Sequence, residues 1–325
     1  MHVIVTGGGG YIGSVAVERL IQAGHEVSVI DNFDRGHRAA VDPAAQVVEC
    51  DMRDSARLGE AISAAHADAI MHFAALTIVP ESVNQPGAYF ETNTSGGLNL
   101  LEAARNAGIS RFVFSSTASV YGIPERLPIT EDAPKQPINP YGQSKWMTEQ
   151  MLSTFAERYD INHAIFRYFN VAGATERHGE DHDPETHLIP VALKTLLGER
   201  ETFTIFGADY ATDDGTAVRD YVHVIDLVDA HIAAIERLDQ PLGAMNLGTA
   251  NGFSVQHIVD AIEASTGRSL PVVHGPRREG DPPRLIADST RARELLDWSP
   301  ANSTLDMMIS SAWDWFRAHP TGYPD

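Results

Sequence analysis

The amino-terminal stretch of the chain joins a short apolar strand, a glycine turn and a helix. Residues 2–6 (HVIVT) are apolar and mostly β-branched, and they run through 7–13 (GGGGYIG) into a helical pattern at 14–23. Glycines allow a tight turn and close approach of the backbone to a pyrophosphate, and the N-terminus of the helix attracts the anion. The order therefore predicts a dinucleotide site with Gly7, Gly10 and Gly13 in its turn.

An acidic residue follows at the distance that such a site requires. A second strand-like run, 26–30 (EVSVI), ends at Asp31, which lies 24 residues after Gly7. A carboxylate at this spacing binds the adenosine ribose and repels a 2′-phosphate, so it favours NAD over NADP. Arg35 and Arg38 could in principle neutralise such a phosphate, and we interpret them as loop cations.

Strand-like and helical segments alternate through the first half of the chain. Further strand-like runs lie at 46–49, 69–73, 112–115 and 163–169, and the clearest helical patterns lie at 95–107 and 141–158. The alternation predicts an α/β fold of the Rossmann type, a doubly wound parallel sheet with helices on both faces. Ligands bind outside the carboxyl ends of such strands. The candidate residues at this edge are Gly7 to Gly13, Asp31, Asp51, Phe73 to Leu76, Ser115 to Thr117 and Tyr168 to Asn170.

The second half of the sequence predicts a smaller α/β domain that binds the substrate. Residues 175–219 are polar and loop-rich, a strand and helix follow at 221–238, a short strand at 245–248 and a helix at 253–266. The predicted domains are 1–174 with about 220–248 for the cofactor, and 175–219 with 249–325 for the substrate.

Tyr141 and Lys145 lie four residues apart in a helical pattern and so share one helix face. A free phenol has a pKa of ~10 and is a poor base at neutral pH. A fixed positive charge lowers that pKa and makes proton abstraction feasible. The pair alone is typical of an ordinary helix, but a hydride acceptor at the glycine turn would make Tyr141 a catalytic base.

The net charge restricts the partners that the protein can bind, and the cysteine content indicates its cellular compartment. The 325 residues carry a net charge of −20, which opposes nonspecific binding to nucleic acid or anionic membranes. An anionic substrate would then need a local basic patch. The single Cys50 excludes an internal disulfide and fits a reducing compartment. With no apolar run of membrane-spanning length and no signal peptide ahead of the first strand, we expect a cytoplasmic protein.

Seven segments along the whole chain resemble one family. They are TGGGGYIG at 6–13, HFAAL at 72–76, SSTASVYG at 115–122, YGQSK at 141–145, RYFNVAGA at 167–174, DDGTAVRDYVHVIDL at 213–227 and RREGDPPRLIADSTRA at 277–292. Together they resemble the UDP-galactose (UDP-glucose) 4-epimerases, isomerases of the extended short-chain dehydrogenase/reductase group. The glycine and Tyr-Lys motifs alone would identify only that larger group, and the last two segments narrow it to UDP-sugar epimerases.

The resemblance implies an NAD-dependent 4-epimerisation of UDP-sugars through a transient 4-keto intermediate. Tyr141 would be the base for the sugar 4-hydroxyl, while hydride passes from C4 to NAD and returns to the opposite face. Lys145 would hold the nicotinamide ribose and lower the pKa of Tyr141, and Thr117 would relay the proton. Because NAD is regenerated in each cycle, the cofactor is expected to be tightly bound.

The resemblance and the strand ends together give two sets of candidate site residues. The cofactor set is Gly7, Gly10, Tyr11, Ile12, Gly13, Asp31, Asn32, Asp51, Met52, Phe73, Ala74, Ala75, Asn93, Ser115, Tyr141, Lys145 and Tyr168. The UDP-sugar set is Thr117, Tyr141, Asn170, Leu188, Phe206, Arg219, Arg278, Asp281 and Leu285. Two arginines in the second set suit a diphosphate, which accepts charge-assisted bidentate hydrogen bonds.

Three positions depart from the family pattern. Thr117 stands where many members use serine, and it retains the hydroxyl. Thr77 stands where some members carry a lysine near the cofactor phosphates. Leu285 occupies a position that resembles the substrate gate, where a bulky tyrosine limits the sugar. The smaller side chain suggests room for a 2-acetamido group. We hypothesise that UDP-GlcNAc and UDP-GalNAc are interconverted as well as UDP-glucose and UDP-galactose.

Other functions share many of these residues. A UDP-pentose 4-epimerase would share nearly all of them. A nucleotide-sugar 4,6-dehydratase has an acidic pair after the catalytic threonine, where Ala118 and Ser119 stand here. A non-catalytic NAD-binding regulatory module would not need Thr117, Tyr141 and Lys145 together. The helices at 95–107 and 141–158 resemble those that pair in the family's homodimer, so a homodimer is expected.

A segment rich in histidine and acid lies near the start of the predicted substrate domain. His178, His182 and His187 are spaced four and five residues apart among acidic residues. We interpret this segment as a solvated loop, and we expect no metal, since the implied mechanism needs none.

Overall fold

A computed structural model describes residues 1–278 and 281–324 of the chain. Residues 279, 280 and 325 lie outside the described part, so the RREGD motif is described only at its ends. The strands are β1 His2–Thr6, β2 Glu26–Asp31, β3 Gln46–Glu49, β4 Ala69–His72, β5 Arg111–Thr117, β6 Asn162–Tyr168, β7 Asn170–Ala172, β8 Phe203–Phe206, β9 Val218–Arg219, β10 Tyr221–His223, β11 Gly243–Leu247, β12 Phe253–Ser254, β13 Val272–Gly275 and β14 Arg284–Leu285. The helices are α1 Tyr11–Gln22, α2 Ser55–Ala65, α3 Val79–Asn84, α4 Pro86–Tyr89, α5 Gly96–Ala107, α6 Pro140–Tyr159, α7 Leu188–Leu196, α8 Val224–Glu236, α9 Val255–Thr266, α10 Thr290–Leu296 and α11 Leu305–Ala318.

Within the described residues, seven parallel strands form the central sheet in the order β11-β6-β5-β4-β1-β2-β3. The chain moves from β1 outward to β3 and then returns to β4 on the other side of β1. This reversal is the switch point at which doubly wound sheets bind ligands. The predicted α/β fold of the Rossmann type is confirmed. Short strands pair separately as β10-β7, β12-β9-β14 and β13-β8.

Burial on both faces explains why the strands are continuously apolar. Val3, Ile4 and Val5 in β1 are fully buried. Val3 and Val5 pack in one core with residues of α1 and α8, whereas Ile4 packs on the opposite face with residues of α2, α5 and α6. A parallel sheet covered on both sides selects such runs, since neither face of the strand meets water.

A separate hydrophobic core lies in the second half of the chain. It joins α7, α9 and α11 through buried residues such as Leu193, Ile262 and Ile309. The carboxyl-terminal region contributes to both cores, because Leu296 and Trp298 pack with the central sheet instead. The predicted division at about 175, 220 and 249 stays a prediction.

Part of the segment predicted to be loop-rich is regular structure. Residues 175–219 contain α7 and β8. Pro190 is the third residue of α7, where the missing N–H has no partner to lose because the first turn of a helix leaves its N–H groups free. A proline in the interior of a helix would disrupt it, whereas one in the first turn is compatible with the helix.

Candidate active site

A cleft of about 1470 Å³ opens at the carboxyl ends of the central strands. Its wall includes the glycine turn on one side and residues of β9, β14 and α7 on the other. Most of the sequence-predicted residues line it. Those in the cofactor set are Gly7, Gly10, Tyr11, Ile12, Gly13, Asp31, Asn32, Asp51, Met52, Phe73, Ala74, Ala75, Tyr141 and Tyr168. The complete UDP-sugar set lines it too.

The glycine turn packs backbone against backbone. A Cβ on Gly13 would lie 2.0 Å from the carbonyl oxygen of Gly7, and one on Gly7 would lie 2.5 Å from the nitrogen of Ala74. Gly7 also has a φ of +76°, which favours glycine. Gly10 precedes α1 without a side chain to cap it. The helix N-terminus is thus open to an anion, and the residues fit the diphosphate of a dinucleotide.

Asp31 is held rigidly at the end of β2. Its Oδ2 accepts from the backbone N–H of Gly9 and its Oδ1 from that of Phe33, each at 2.8 Å. Burial raises the pKa of Asp31, against the opposing effect of these backbone hydrogen bonds. The carboxylate therefore links the glycine turn to the strand end, where the predicted ribose contact lies.

The basic residues near Asp31 are engaged with acidic side chains. Arg35 pairs with Glu81 at 2.7 Å, and Arg38 pairs with Glu49. These ion pairs support the interpretation of both arginines as loop cations. Further along the same edge, a hydrogen bond from Arg53 is the main cause that lowers the pKa of Asp51 to about 2.

Thr117 and Tyr141 meet at the centre of the cleft. Thr117 ends β5, and Tyr141 lies in the first turn of α6, whose start is capped by Asn139 accepting from the Gly142 N–H at 2.8 Å. Burial raises the pKa of Tyr141 to about 12, and the hydrogen bond from the Thr117 hydroxyl opposes this. In the protein alone Tyr141 is therefore a protonated phenol at neutral pH.

Lys145 lies one turn further along α6, behind the cleft wall. Its Nζ donates to the carbonyl oxygen of Ser115 at 3.0 Å. Burial lowers the pKa of Lys145 to about 7, while Glu149 acts in the opposite direction. In the protein alone, the Thr117 hydroxyl lowers the pKa of Tyr141, and the Lys145 ammonium is directed at the end of β5. The role of Lys145 in lowering the pKa of Tyr141 stays a prediction.

A buried ion pair that sequence reasoning missed supports this part of α6. Glu149 accepts from Arg167 Nη2 at 2.6 Å and from Arg167 Nε at 3.0 Å. The Ser116 hydroxyl donates to the same carboxylate at 2.5 Å. The side chains of Glu149 and Arg167 are 2% and 5% exposed. Glu149 lies on α6 and Arg167 on β6, so no local spacing in the sequence indicates the pair.

We expect Arg167→Met to lower the free energy of unfolding by about 3–5 kcal/mol, because it leaves the Glu149 carboxylate buried without its partner. Urea denaturation measures this. Arg105→Met is the matched control, since it breaks an exposed pair with Glu102 and should change stability by about 0–1 kcal/mol. Equal losses in the two variants would contradict the role of the buried pair.

Asn93 and Ser115, like Lys145, support the cleft from behind its lining. The Asn93 amide donates to the Leu76 carbonyl oxygen and to the Ser144 hydroxyl, both at 3.0 Å, and its Oδ1 accepts from the Leu76 N–H at 2.8 Å. Asn93 therefore ties the loop after β4 to α6. The Ser115 carbonyl oxygen accepts a hydrogen bond from Lys145. Burial raises the pKa of Tyr168, and a hydrogen bond from the Ser115 hydroxyl acts in the opposite direction.

The opposite wall carries the predicted substrate residues. Arg219 on β9 forms an ion pair with Asp281, and the Arg278 guanidinium lies over the Phe206 ring at 4.4 Å from its centroid. Leu285 is the register partner of Arg219 in the β9-β14 pair. A cationic, aromatic and apolar surface results, with Asp281 compensating one of its two positive charges.

Asp220 is a further organising residue that the sequence motif contained without a predicted role. Its fully buried carboxylate accepts from the N–H groups of Thr249 and Ala250, at 2.8 and 3.0 Å, and from that of Ala287 at 3.0 Å. These bonds join the segment after β11 to the segment after β14. Its main-chain carbonyl accepts from the Asn170 amide at 3.2 Å, so it also fixes a predicted substrate residue.

The segment with clustered histidines is not the solvated loop that we predicted. His178, Glu180 and Glu185 are all at least nine-tenths buried. The main cause is long-range packing, with Tyr11 facing His182 at 6.4 Å between ring centroids and Tyr323 donating its N–H to Asp181 at 2.9 Å. His187 lies beside Glu180, whose charge raises the pKa of the imidazole.

Comparison with known proteins agrees with this geometry. Residues 3–248 match the model of the NAD dependent epimerase/dehydratase family. The chain belongs to this family. It is 47% identical to a UDP-glucose 4-epimerase of Lactobacillus helveticus, with all of both chains covered.

Solved structures extend the likeness beyond sequence. A UDP-glucose 4-epimerase from Brucella ovis in complex with NAD has a TM-score of 0.94 and 43% identity, covering 97% of this chain and 98% of that one. The UDP-Glc/GlcNAc 4-epimerase from Campylobacter jejuni has a TM-score of 0.86 and 36% identity, covering 98% and 99%. Like a typical member of the epimerase family, this chain has a Rossmann-type fold with a cleft at the strand ends. Among its described residues, no helix is long and apolar enough to cross a membrane.

Proposed function

We propose that this member of the epimerase family catalyses the NAD-dependent 4-epimerisation of UDP-sugars through a transient 4-keto sugar. The observation that carries the proposal is the position of Thr117 and Tyr141. Both line the same cleft as the glycine turn on one side and Arg219 and Arg278 on the other. A proton acceptor is thus placed between a dinucleotide site and a basic surface suited to a diphosphate.

The cofactor side is preorganised by residues that do not react. The glycine turn would hold the cofactor diphosphate, Asp31 its adenosine ribose, and Asp51 with Met52 the adenine. NAD supplies the hydride acceptor and a positive ring when it is bound. Tight retention follows in our proposal from the close backbone packing of the turn and from Lys145.

The catalytic residues transfer one proton to and from the sugar. Tyr141 takes the proton of the sugar 4-hydroxyl as C4 loses hydride, and Thr117 hydrogen-bonds to the oxygen and relays the proton. The sugar then turns within the cleft, C4 receives hydride on its other face, and Tyr141 returns the proton. Burial disfavours the phenolate, so the positive charges of Lys145 and the cofactor are needed to make Tyr141 an effective base.

The substrate side would bind the UDP moiety away from the reacting carbon. Arg219 and Arg278 would contact the diphosphate, with Phe206 stacked against the second arginine. Asn170 and Leu188 line the cleft between the arginines and Tyr141 in our assignment. Arg219 forms an ion pair with Asp281, which also lines this wall.

A substrate panel tests the proposed function. Purified protein is incubated with UDP-hexoses, UDP-N-acetylhexosamines and UDP-pentoses, and products are identified by sugar configuration at C4. We expect UDP-galactose and UDP-glucose to interconvert, with transient absorbance of reduced nicotinamide. Turnover confined to pentoses would favour the UDP-pentose alternative. Spectral silence with every sugar, despite bound NAD, would favour a non-catalytic module.

The space beside Leu285 supports a wider substrate range. The leucine lines the cleft and packs against the buried cluster of Val120, Tyr121 and Ile129. Its side chain is shorter than a tyrosine and would leave room for a 2-acetamido group. We therefore propose UDP-GlcNAc and UDP-GalNAc as additional substrates.

We expect Leu285→Tyr to lower kcat/KM for UDP-GlcNAc at least ~10-fold while changing that for UDP-glucose much less, because a bulky ring would clash with the larger substituent. Steady-state kinetics on both substrates measure the ratio. Leu285→Met conserves volume and should leave the ratio within a factor of about three. Equal losses on both sugars in Leu285→Tyr would contradict the gate.

The proposed assembly is a homodimer through α5 and α6, and the proposed compartment is the cytoplasm. Leu98 on α5 and Met147 on α6 are 39% and 37% exposed, which supports an apolar contact between copies. Cys50, the single cysteine, is buried and free, as expected of a protein from a reducing compartment.

A further inference from the structure

Two carboxylates and two imidazoles converge beside the cleft, outside the groups that the proposed reaction uses. Glu180, His182, Glu185 and His187, here called the His-Glu cluster, lie between β7 and the start of α7. One donor atom from each side chain lies within 4.8 Å of all the others. Carboxylate oxygen and imidazole nitrogen are ligand types that zinc accepts together.

The separations between the donor atoms lie on both sides of the spacing that a common ion requires. The Nδ1 of His182 lies 3.1 Å from Glu180 Oε1 and 3.9 Å from Glu185 Oε2. The Nδ1 of His187 lies 2.5 Å from Glu180 Oε1 and 3.2 Å from Glu185 Oε1. Ligands bound at about 2.1 Å in a tetrahedral site are roughly 3.4 Å apart, so small side-chain movements would complete the sphere.

One carboxylate oxygen of the cluster has no partner in the described part of the chain. The Glu185 side chain is 2% exposed, and its Oε1 accepts from the N–H groups of Thr186 and His187 at 2.7 and 2.8 Å. Its Oε2 is buried and forms no hydrogen bond. An isolated buried carboxylate oxygen is costly, and internal hydrogen bonds within the cluster leave this one unsatisfied.

Access to the cluster comes from the cleft. The side chains of Glu180 and Glu185 are 5% and 2% exposed, whereas those of His182 and His187 are 27% and 46% exposed. A small ion can therefore enter past the imidazoles and reach the buried carboxylates. The negative charge of two carboxylates matches a divalent cation.

We propose that the His-Glu cluster binds one divalent cation of the zinc class. The ion occupies the space between the four donor atoms and gives Glu185 Oε2 its missing partner. It ties the loop 175–187 to the start of α7, next to Tyr11 of the glycine turn and Leu188 of the substrate wall. Its role is to fix the position of one wall of the cleft relative to the other, and it takes no part in the proton transfer.

Cobalt is the probe for the test, because four-coordinate Co²⁺ has strong visible absorption bands. The full chain is stripped with a chelator, titrated with Co²⁺ and then with Zn²⁺, and its metal content is measured. We expect one Co²⁺ per chain with four-coordinate bands, displaced by one Zn²⁺. Glu185→Gln and His182→Gln should each weaken Co²⁺ binding more than about ten-fold.

His274→Gln is the matched control, because His274 is an exposed histidine on β13 outside the cluster. It should bind Co²⁺ like the unmodified chain. Circular dichroism checks that each variant is folded, and His182→Gln serves if Glu185→Gln is not. Absence of stoichiometric binding, or equal binding in the folded cluster variants and the control, would overturn the proposal.

Discussion

Replacing Tyr141 by phenylalanine is expected to lower kcat for UDP-galactose by about 10²–10⁴-fold, the usual contribution of a positioned acid–base group. The substitution removes only the hydroxyl that Thr117 contacts. The buried ring keeps its packing, including its edge-to-face contact with Tyr89 at 6.4 Å between centroids. Thermal stability should therefore change little. A coupled assay, expressed per bound NAD, gives kcat.

Tyr159 provides the control for this variant. It lies at the end of the same helix, α6, and is 40% exposed. Tyr159→Phe should keep the activity of the unmodified chain. Activity of Tyr141→Phe within a few-fold of the unmodified chain would exclude Tyr141 as the base.

Gly13→Ala is expected to abolish NAD retention and to destabilise the fold. The added Cβ would meet the Gly7 carbonyl oxygen at 2.0 Å and the Gly8 Cα at 3.0 Å. These are backbone atoms and cannot rotate away, so the turn or α1 must shift. Forced overpacking of this kind costs about 1–3 kcal/mol. The moved helix N-terminus no longer matches the cofactor diphosphate.

NAD retention is measured as the NAD released on denaturation per protein chain. The stability of the fold is measured as the melting temperature. Gly59→Ala in α2 is the matched control, since a Cβ there meets no atom within 4 Å. It should retain NAD and gain about 0.5–1 kcal/mol from better helix propensity. Full NAD content in Gly13→Ala would contradict the assigned cofactor turn.

Local patterns predicted the first half of the fold well, for physical reasons. The strand predicted at 2–6 is β1, and the helix predicted at 141–158 is α6 within one residue at each end. Fully buried parallel strands and glycine turns have strong local signatures. The site residues at the strand ends follow from sheet topology, since one edge collects the residue after each strand.

Contacts between distant segments account for what the sequence did not predict. The pairing of Glu149 with Arg167 joins α6 to β6, and no local pattern distinguishes it from two surface charges. The packing of the segment that contains Glu180 and Glu185 involves elements far along the chain, among them Trp315 and Tyr323, which lie against Gly179. Polar composition alone therefore suggested a solvated loop at a place where tertiary packing excludes water.

Deuterium at C4 of UDP-galactose reports most directly on the proposed epimerisation. The sugar is incubated with the protein and its bound NAD, and the product and the solvent are analysed by NMR. We expect UDP-glucose that keeps deuterium at C4 and no deuterium in the water, because the hydride leaves and returns within one cleft. Conversion with loss of the label to water, or no conversion at all, would contradict the proposed function.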